Sequence, residues 1–508
     1  MPSTPPPEAV DETIVDLTEP AATTSDAPTP DPRRWRALLV IGIAQLMVVL
    51  DASIVNLALP SAQADLGITD TDRQWMITAY TLAFGGLLLL GGRIADFAGR
   101  KRAFIIGLLG FAAASALGGI AATATLLFAA RALQGAFAAL LAPAALSLIT
   151  VTFTESKERA RAFGVYGAIA GGGAAIGVIL GGVLTEFFSW RWCLLVNVPI
   201  AIIAVVLAIP NVRESRATGS TRYDIPGAVT ATLGLVSLVY GLTKAGVDGW
   251  GSPVTLAWFA AATVLLVSFF VIERHSDFPL LPLRVITERN RGGSYLANFF
   301  TGAGLFGMFL FLTYYFQGIL GWSALRSGFA FLPFSIGIII SAGVASQLLP
   351  RVGPRRLAVT GLAMATAGML LLTRLAPDSS YLTAVLPSIL LISLGMGITF
   401  VPLSATSLFG VGTHDAGVAS AVLNTTAQIG GALGTALLNT LAASATAAYL
   451  TTHAAEGQAA VPAGLVHGFS VAFWWSAGLL AVAAVVVLVL VTADRHALAR
   501  TDSAALPG

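Results

Sequence analysis

Apolar residues in this chain gather in long runs separated by short polar stretches. A helix that crosses the hydrocarbon core of a membrane needs about 20 mostly apolar residues. Such runs stand near 37–58, 75–92, 103–121, 125–150, 162–185, 193–210, 226–244, 255–272, 294–315, 327–349, 357–375, 381–408, 416–443 and 467–491. The pattern predicts an all-α membrane protein with 14 transmembrane helices. The connections are short, so no sizeable soluble domain is expected between them.

Lys and Arg fix the expected orientation, because they concentrate on the cytoplasmic side. With the N-terminus inside, 22 of the 28 basic residues fall on the inner side. Arg73, Arg191, Lys244, Arg326 and Arg374 are left outside, and Arg131 sits within a helix. Both termini are therefore expected in the cytoplasm, with the chain multi-pass in the cytoplasmic membrane.

Composition agrees. The 508 residues are 56% hydrophobic and 11% charged, against about 25% charged in soluble domains. A net charge of +2 carries no nucleic-acid footprint, and the one cysteine, Cys193, cannot form an internal disulfide. The first 32 residues hold acids and prolines but no base, and are expected to form a disordered cytoplasmic tail. They lack the basic and apolar regions of a signal peptide, so the first spanning helix is expected to act as the insertion signal.

Several residues exceed what topology requires. Asp51, in "QLMVVLDASIVNLALP", and Arg131, in "TLLFAARALQGAFAAL", lie deep within helices of opposite direction. At 1.5 Å rise per residue both come out roughly 10–13 Å below the outer surface. A charge at the bilayer centre costs at least about 2.5 kcal/mol, so two readings stand: a static ion pair locking two helices, or a proton or substrate site. Asp51 is also the only carboxylate placed well inside the bilayer by the pattern, with Glu186 near a helix end. The fifth run carries Gly164, Gly173, Gly177, Gly181 and Gly182 on or near one face, a spacing that lets helix backbones approach closely. The thirteenth carries Asn424, Thr425 and Gln428 beside Gly430, Gly431 and Gly434, which suits interhelical hydrogen bonding. Between the second and third runs lies "GGRIADFAGRKR", whose basic residues hold a tight turn inside and whose Asp96 topology does not explain.

These residues resemble the major facilitator superfamily, in its fourteen-spanning drug–proton antiporter branch, over roughly 36–495. Gly92, Ile94, Ala95, Asp96, Gly99, Arg100 and Lys101 are similar to the family's loop between helices 2 and 3. Leu127, Arg131, Gln134 and Gly135 are similar to its helix-4 pattern. "LDASIVNLALP" and "SWRWCLLVNVPI" resemble signatures of helices 1 and 6. The helix-5 glycines fit the exporter motif, except that Val178 stands where Pro is usual.

The resemblance implies an N-terminal six-helix bundle (33–212), two extra linking helices (213–285), a C-terminal six-helix bundle (286–495) and a cytoplasmic tail (496–508). Access to a midplane cavity would alternate by rocking. It implies proton coupling through Asp51 and Arg131, and gating by Gly92, Asp96, Gly99, Arg100 and Lys101. Candidate cavity residues are Asn56, Gln134, Phe299, Phe300 and Gln428. Tyr314, Tyr315 and Gln317 also suit flat or cationic ligands, although aromatic residues equally face lipid.

The expected function is proton-coupled efflux of drugs or antibiotics, the alternative being transport of a metabolite such as a peptide, sugar or siderophore. With so few embedded acids, the cargo is expected to be a small neutral, amphipathic or monocationic molecule. No cofactor is expected beyond the proton gradient, and no metal. No nucleophile–base pair or phosphate-binding GxxxxGK[ST] loop is visible, which argues against an enzyme or an ATP-driven pump.

Overall fold

The apolar runs fold as helices bounded by glycine, proline and charged residues. The computed structural model describes residues 32–70, 72–153, 155–216, 224–276, 279–281, 286–407 and 416–493. The helices are α1 (Arg34–Leu66), α2 (Trp75–Ala98), α3 (Arg100–Gly119), α4 (Ala124–Thr152), α5 (Ser156–Phe187) and α6 (Trp192–Asn211). They continue as α7 (Ile225–Asp248), α8 (Pro253–His275), α9 (Arg289–Ile319), α10 (Ala324–Val352) and α11 (Pro354–Leu372). The last three are α12 (Tyr381–Ser407), α13 (Ala416–Thr452) and α14 (Ala454–Leu490). The tails expected at 1–32 and 496–508 lie outside the described residues, Pro32 apart.

The expectation of 14 spans is corrected. Among the described residues, 12 helices are long and apolar enough to cross a membrane, or 13 if the two arms of α2, bent by 54° between Leu88 and Leu90, form one span. The difference falls at α5, which is helical over 32 residues and among the described residues counts as a shorter apolar helix, Ala175–Phe187.

Packing follows the small residues. α2 lies along α4 where Gly135 meets the Tyr80 carbonyl and Gly91 meets the Ala139 carbonyl. A Cβ on Gly177 would stand 2.9 Å from Ser53 Cβ, and one on Gly181 2.8 Å from Ile54 Cγ1, so α5 presses directly on α1. Gly173 faces Leu46 of the same helix. Gly182 faces the other way, where its Cβ would stand 2.6 Å from Leu325 Cα on α10. Gly164 lies in α5, but its surroundings fall outside the described residues. α7 packs on α2 and α13, and α8 reaches the rest of the molecule chiefly through α7.

One apolar cluster fills the first half of the chain around Phe104, Phe111 and Phe153. A larger one runs from Ile54 and Leu57 of α1 into Phe311, Phe316, Phe331 and Phe473. The halves therefore share a core at one end of the helices. Gln63 and Tyr314 are hydrogen-bonded there, late in α1 and in α9. Arg33 and Asn290, at the starts of the same two helices, consequently lie at the opposite end, where Asn290 also accepts from the backbone of Thr492 at 2.7 Å. The first and last described residues thus share one end of the helices.

Charges secure that end. Arg34 makes a two-pronged contact with Glu158, at 2.8 and 2.9 Å, tying α1 to α5. Glu288 caps α9 by accepting from the backbone amides of Asn290 (3.0 Å) and Arg291 (2.8 Å). Burial works against the charged form of Glu288, but those amide bonds, the Asn290 side chain and the Arg291 charge together hold its pKa below the ordinary 4.5.

Two outcomes test this packing. Gly182→Val is expected to lower stability in detergent by about 1–3 kcal/mol through overpacking. Gly343→Val, where a Cβ meets nothing within 4 Å, is expected to leave it unchanged. Equal unfolding midpoints for the two variants would contradict the close approach of α5 and α10. Glu288, with its depressed pKa, stabilises the fold fully above about 4.5. That contribution, about 1 kcal/mol for a cap, disappears as pH falls through the lower folded-state value. The difference in thermal stability between wild type and Glu288→Gln should therefore be constant near neutrality and vanish in acid.

Candidate functional site

The two charges embedded in α1 and α4 meet. Arg131 Nη1 donates to Asp51 Oδ2 at 2.7 Å, with the side chains 2% and 0% exposed. A buried ion pair persists only when its remaining donors and acceptors are satisfied, and the surrounding helices supply the partners. Arg131 Nη1 also donates to Gln134 Oε1 (2.8 Å), and Arg131 Nε donates to the Met76 carbonyl (2.9 Å). The guanidinium lies 4.5 Å from the centre of the Tyr80 ring, a cation–π contact. On the acid, Gln134 Nε2 donates to Asp51 Oδ1 at 3.0 Å and Asn197 Nδ2 donates to the same oxygen at 2.8 Å. Ser115 Oγ accepts from Gln134 Nε2 at 2.6 Å and stands 3.4 Å from Asn197 Nδ2.

Five helices thus converge on one carboxylate. Three donors on it suit its ionised form, which only accepts. Two acceptable acceptors in the cluster have no partner: Asn197 Oδ1 and Tyr80 Oη are buried and unbonded. Sequence reasoning found Asp51, Arg131 and Gln134 but missed Ser115, Asn197 and Tyr80. Each of those is a lone polar group in an apolar run, and nothing in its spacing announces the partner. Gln134, a candidate cavity residue, is fully buried in this network.

The turn between α2 and α3 is built from the expected residues. Gly99 adopts φ +116°, a backbone region where glycine is favoured. Arg100 pairs with Asp96 one turn earlier at 2.8 Å. Lys101 Nζ donates to the Ile209 carbonyl at 2.6 Å, and the Arg100 amide donates to the Ser215 carbonyl at 2.9 Å. Glu214, not foreseen, accepts from the backbone amides of Lys101 (3.0 Å) and Arg102 (3.2 Å), capping α3. In this conformation the turn is therefore bound to the end of α6. Gly92 packs against Pro143, and Arg93 donates to the Pro279 carbonyl at 3.3 Å. Two further acids, Glu273 and Asp224, are buried at the ends of α8 and α7, where the sequence pattern placed no embedded carboxylate.

The hydrogen bonds between the first and second halves gather at the end away from the termini. Arg73, 4% exposed, donates to Asn439 Oδ1 at 3.1 Å and lies 4.1 Å from the centre of the Tyr314 ring. Asn439 Nδ2 donates to the Asp70 carbonyl at 3.0 Å. Gln317, in the π-helical turn that ends α9, donates to the Leu57 carbonyl at 3.2 Å. Glu186 accepts from the Leu325 amide at 3.0 Å.

The other candidates scatter. Asn56 bonds to its own helix at Ala52. Tyr315 is buried and donates to the Ala376 carbonyl at 2.7 Å. Phe299 and Phe300 form an edge-on pair, 5.4 Å between centres, and the Phe299 backbone presses on Gly430. Gln428 stands against Gly85 of α2, with its Oε1 buried and unbonded. Among the described residues no three His, Cys, Asp or Glu side chains cluster as metal ligands.

A bundle of apolar helices, clasped between its halves at one end and enclosing a sealed ion pair, is the build of a membrane transporter. The chain belongs to the Major Facilitator Superfamily, which it matches over residues 41–435. It is 52% identical over 480 residues to the puromycin resistance protein pur8 of Streptomyces alboniger, covering 94% of this chain and 95% of that protein. It is 42% identical over 414 residues to the cephamycin export protein CmcT of Amycolatopsis lactamdurans, covering 81% and 85%. Its fold is similar to that of a bacterial homologue of the human lysosomal transporter Spinster (TM-score 0.65, 16% identity, 92% of this chain and 98% of that one). It is likewise similar to the peptide transporter POT (TM-score 0.61, 14% identity, 88% and 93%). Those two relatives are a resistance and an export protein, and the chain is a multi-pass transporter of the efflux type rather than an enzyme.

Removing one member of the buried pair strands the other charge, a loss of about 3–5 kcal/mol. Asp51→Leu and Arg131→Leu are each expected to destabilise the protein by that order, and the double variant by less than either single. Thermal unfolding of the four proteins in detergent measures this coupling. Additive losses would show that the pair contributes nothing as a pair.

Proposed function

We propose that the protein exports small drug- or antibiotic-like molecules across the cytoplasmic membrane in exchange for protons. The observation that carries this reading is the Asp51–Arg131 pair: an acid sealed at 0% exposure against a guanidinium, in a chain 52% identical to a puromycin resistance protein. A static lock between α1 and α4 calls for every polar group around the pair to be satisfied. Here Asn197 donates to the carboxylate through Nδ2 while its buried Oδ1 has no partner, so this group is able to rearrange. Protonation of Asp51 weakens its hold on Arg131, which keeps its charge at all accessible pH, and so biases the two halves toward another arrangement.

In this reading residues 33–212 and 286–495 move against one another about the cargo, with 213–285 between them. Both termini are cytoplasmic, as the basic residues favour. The bonds of Arg73, Gln317 and Glu186 to the opposite half then close the outer end. The turn carrying Gly92, Asp96, Gly99, Arg100 and Lys101, bound here to Glu214, Ser215 and Ile209, engages the other half when the outer end opens. The glycine face of α5 is the surface that slides, Gly182 parting from Leu325 while Gly177 and Gly181 keep α1. Asn56, Phe299, Phe300 and Gln428 line the path of a neutral, amphipathic or monocationic cargo. A cationic cargo competes with the proton for Asp51.

Efflux of puromycin and of ethidium from loaded cells, at matched expression, tests the reading. Wild type is expected to lower accumulation of at least one probe, and a protonophore or Asp51→Asn to abolish the effect. Undiminished export by Asp51→Asn under the same gradient would assign coupling elsewhere.

A further inference from the structure

Asp51 Oδ1 accepts from two amides, and they are not equivalent. Gln134 is committed at both ends: its Nε2 donates to Asp51 and Ser115, and its Oε1 accepts from Arg131. Turning that amide over would set an acceptor against the carboxylate and a donor against the guanidinium. Arg131 has donors only. Asn197 differs. Its Nδ2 donates to Asp51 at 2.8 Å, while its Oδ1 is buried with no partner, in a residue that is 0% exposed. An unbonded buried acceptor is costly, and this one belongs to the one group of the cluster free to reverse.

We propose that Asn197 is the positioning residue that follows the protonation state of Asp51: its amide donates to the carboxylate when Asp51 is ionised and reverses to accept the carboxyl proton when Asp51 is protonated. This rests on the reading of Asp51 as the proton site. A protonated carboxyl is a donor; its O–H needs an acceptor, and Gln134 Oε1 is held by Arg131. A half-turn of the Asn197 amide places Oδ1 where Nδ2 now stands, 2.8 Å from Asp51 Oδ1 and 3.4 Å from Ser115 Oγ. The proton, taken from water, stays on Asp51, and no bond other than O–H forms. The cluster holds one unpaired Asn197 atom before and after: Oδ1 beside the carboxylate, Nδ2 beside the protonated carboxyl. The other titratable groups facing Asp51 are Arg131 of α4, Tyr80 of α2 and Cys193 at the start of α6. Arg131 remains charged, and the hydroxyl and thiol remain neutral across the range in which a carboxyl titrates.

Infrared difference spectroscopy of the purified full-length protein in lipid, titrated with acid, tests this directly. The wild type should gain a carboxylic C=O band that is missing in Asp51→Asn. With the Asn side-chain amides labelled with carbon-13, one amide C=O band should move at the same midpoint. In Asn197→Ala that amide signal should be absent and the carboxylic band should lie at higher frequency, as for a carboxyl without an acceptor. The midpoint should rise by roughly one pH unit, since the bond lost by the ionised form is charge-assisted and the stronger of the two. A carboxylic band titrating in wild type with no accompanying amide shift would overturn the reversal. So would an unchanged frequency in Asn197→Ala. The wild-type labelling result stands even if the alanine variant does not fold. A band that survives Asp51→Asn would instead overturn the assignment of Asp51 as the proton site.

Discussion

The buried side chains of Asp51 and Arg131, 0% and 2% exposed, organise the first half of this molecule. Charges so placed are stable only if each lone pair and each N–H finds a partner. That requirement reaches well beyond α1 and α4. It brings a carbonyl and an aromatic ring from α2, a hydroxyl from α3 and an amide from the start of α6 to one point. Glycines then supply the distances. Gly135 lets α4 lie on the α2 backbone at Tyr80, close to where Arg131 reaches Met76. Gly177 and Gly181 let α5 close over the stretch of α1 that carries Asp51.

Among the described residues the second half has no counterpart. Its buried polar groups are hydroxyls and amides such as Thr301, Thr425, Thr435 and Gln428, and several are left unbonded. The halves are thus chemically unequal: one holds a fixed pair of charges, the other neutral hydrogen-bonding groups among aromatic side chains. They meet where Arg73 leaves its own half to bond Asn439 and cover Tyr314. A single cation serves both as a hydrogen-bond donor and as a lid on an aromatic face.

Much of this was legible in the sequence. Length of apolar run locates α1, α4 and α9 well, because a spanning helix has a fixed length. Asp51 and Arg131 stand out because charge is rare in such runs. The apolar runs number 14 where 12 or 13 spans stand among the described residues, and the difference falls at α5. The turn at 92–101 was legible from Gly99 and its charges, but its partner Glu214 was not, since more than a hundred residues separate them and only folding brings them together. Asn197 and Ser115 were invisible for the same reason. A small polar residue in an apolar helix is common, and only the proximity of Asp51 gives these two a task.

Cys193 is the only cysteine in the 508 residues. It is 0% exposed, with its sulfur 3.3 Å from Thr185 Oγ1. A thiol so enclosed is closed to aqueous maleimides. The native chain is therefore already a silent background for labelling, and a cysteine installed at any surface position can report on movement of the halves with no prior removal of natural thiols.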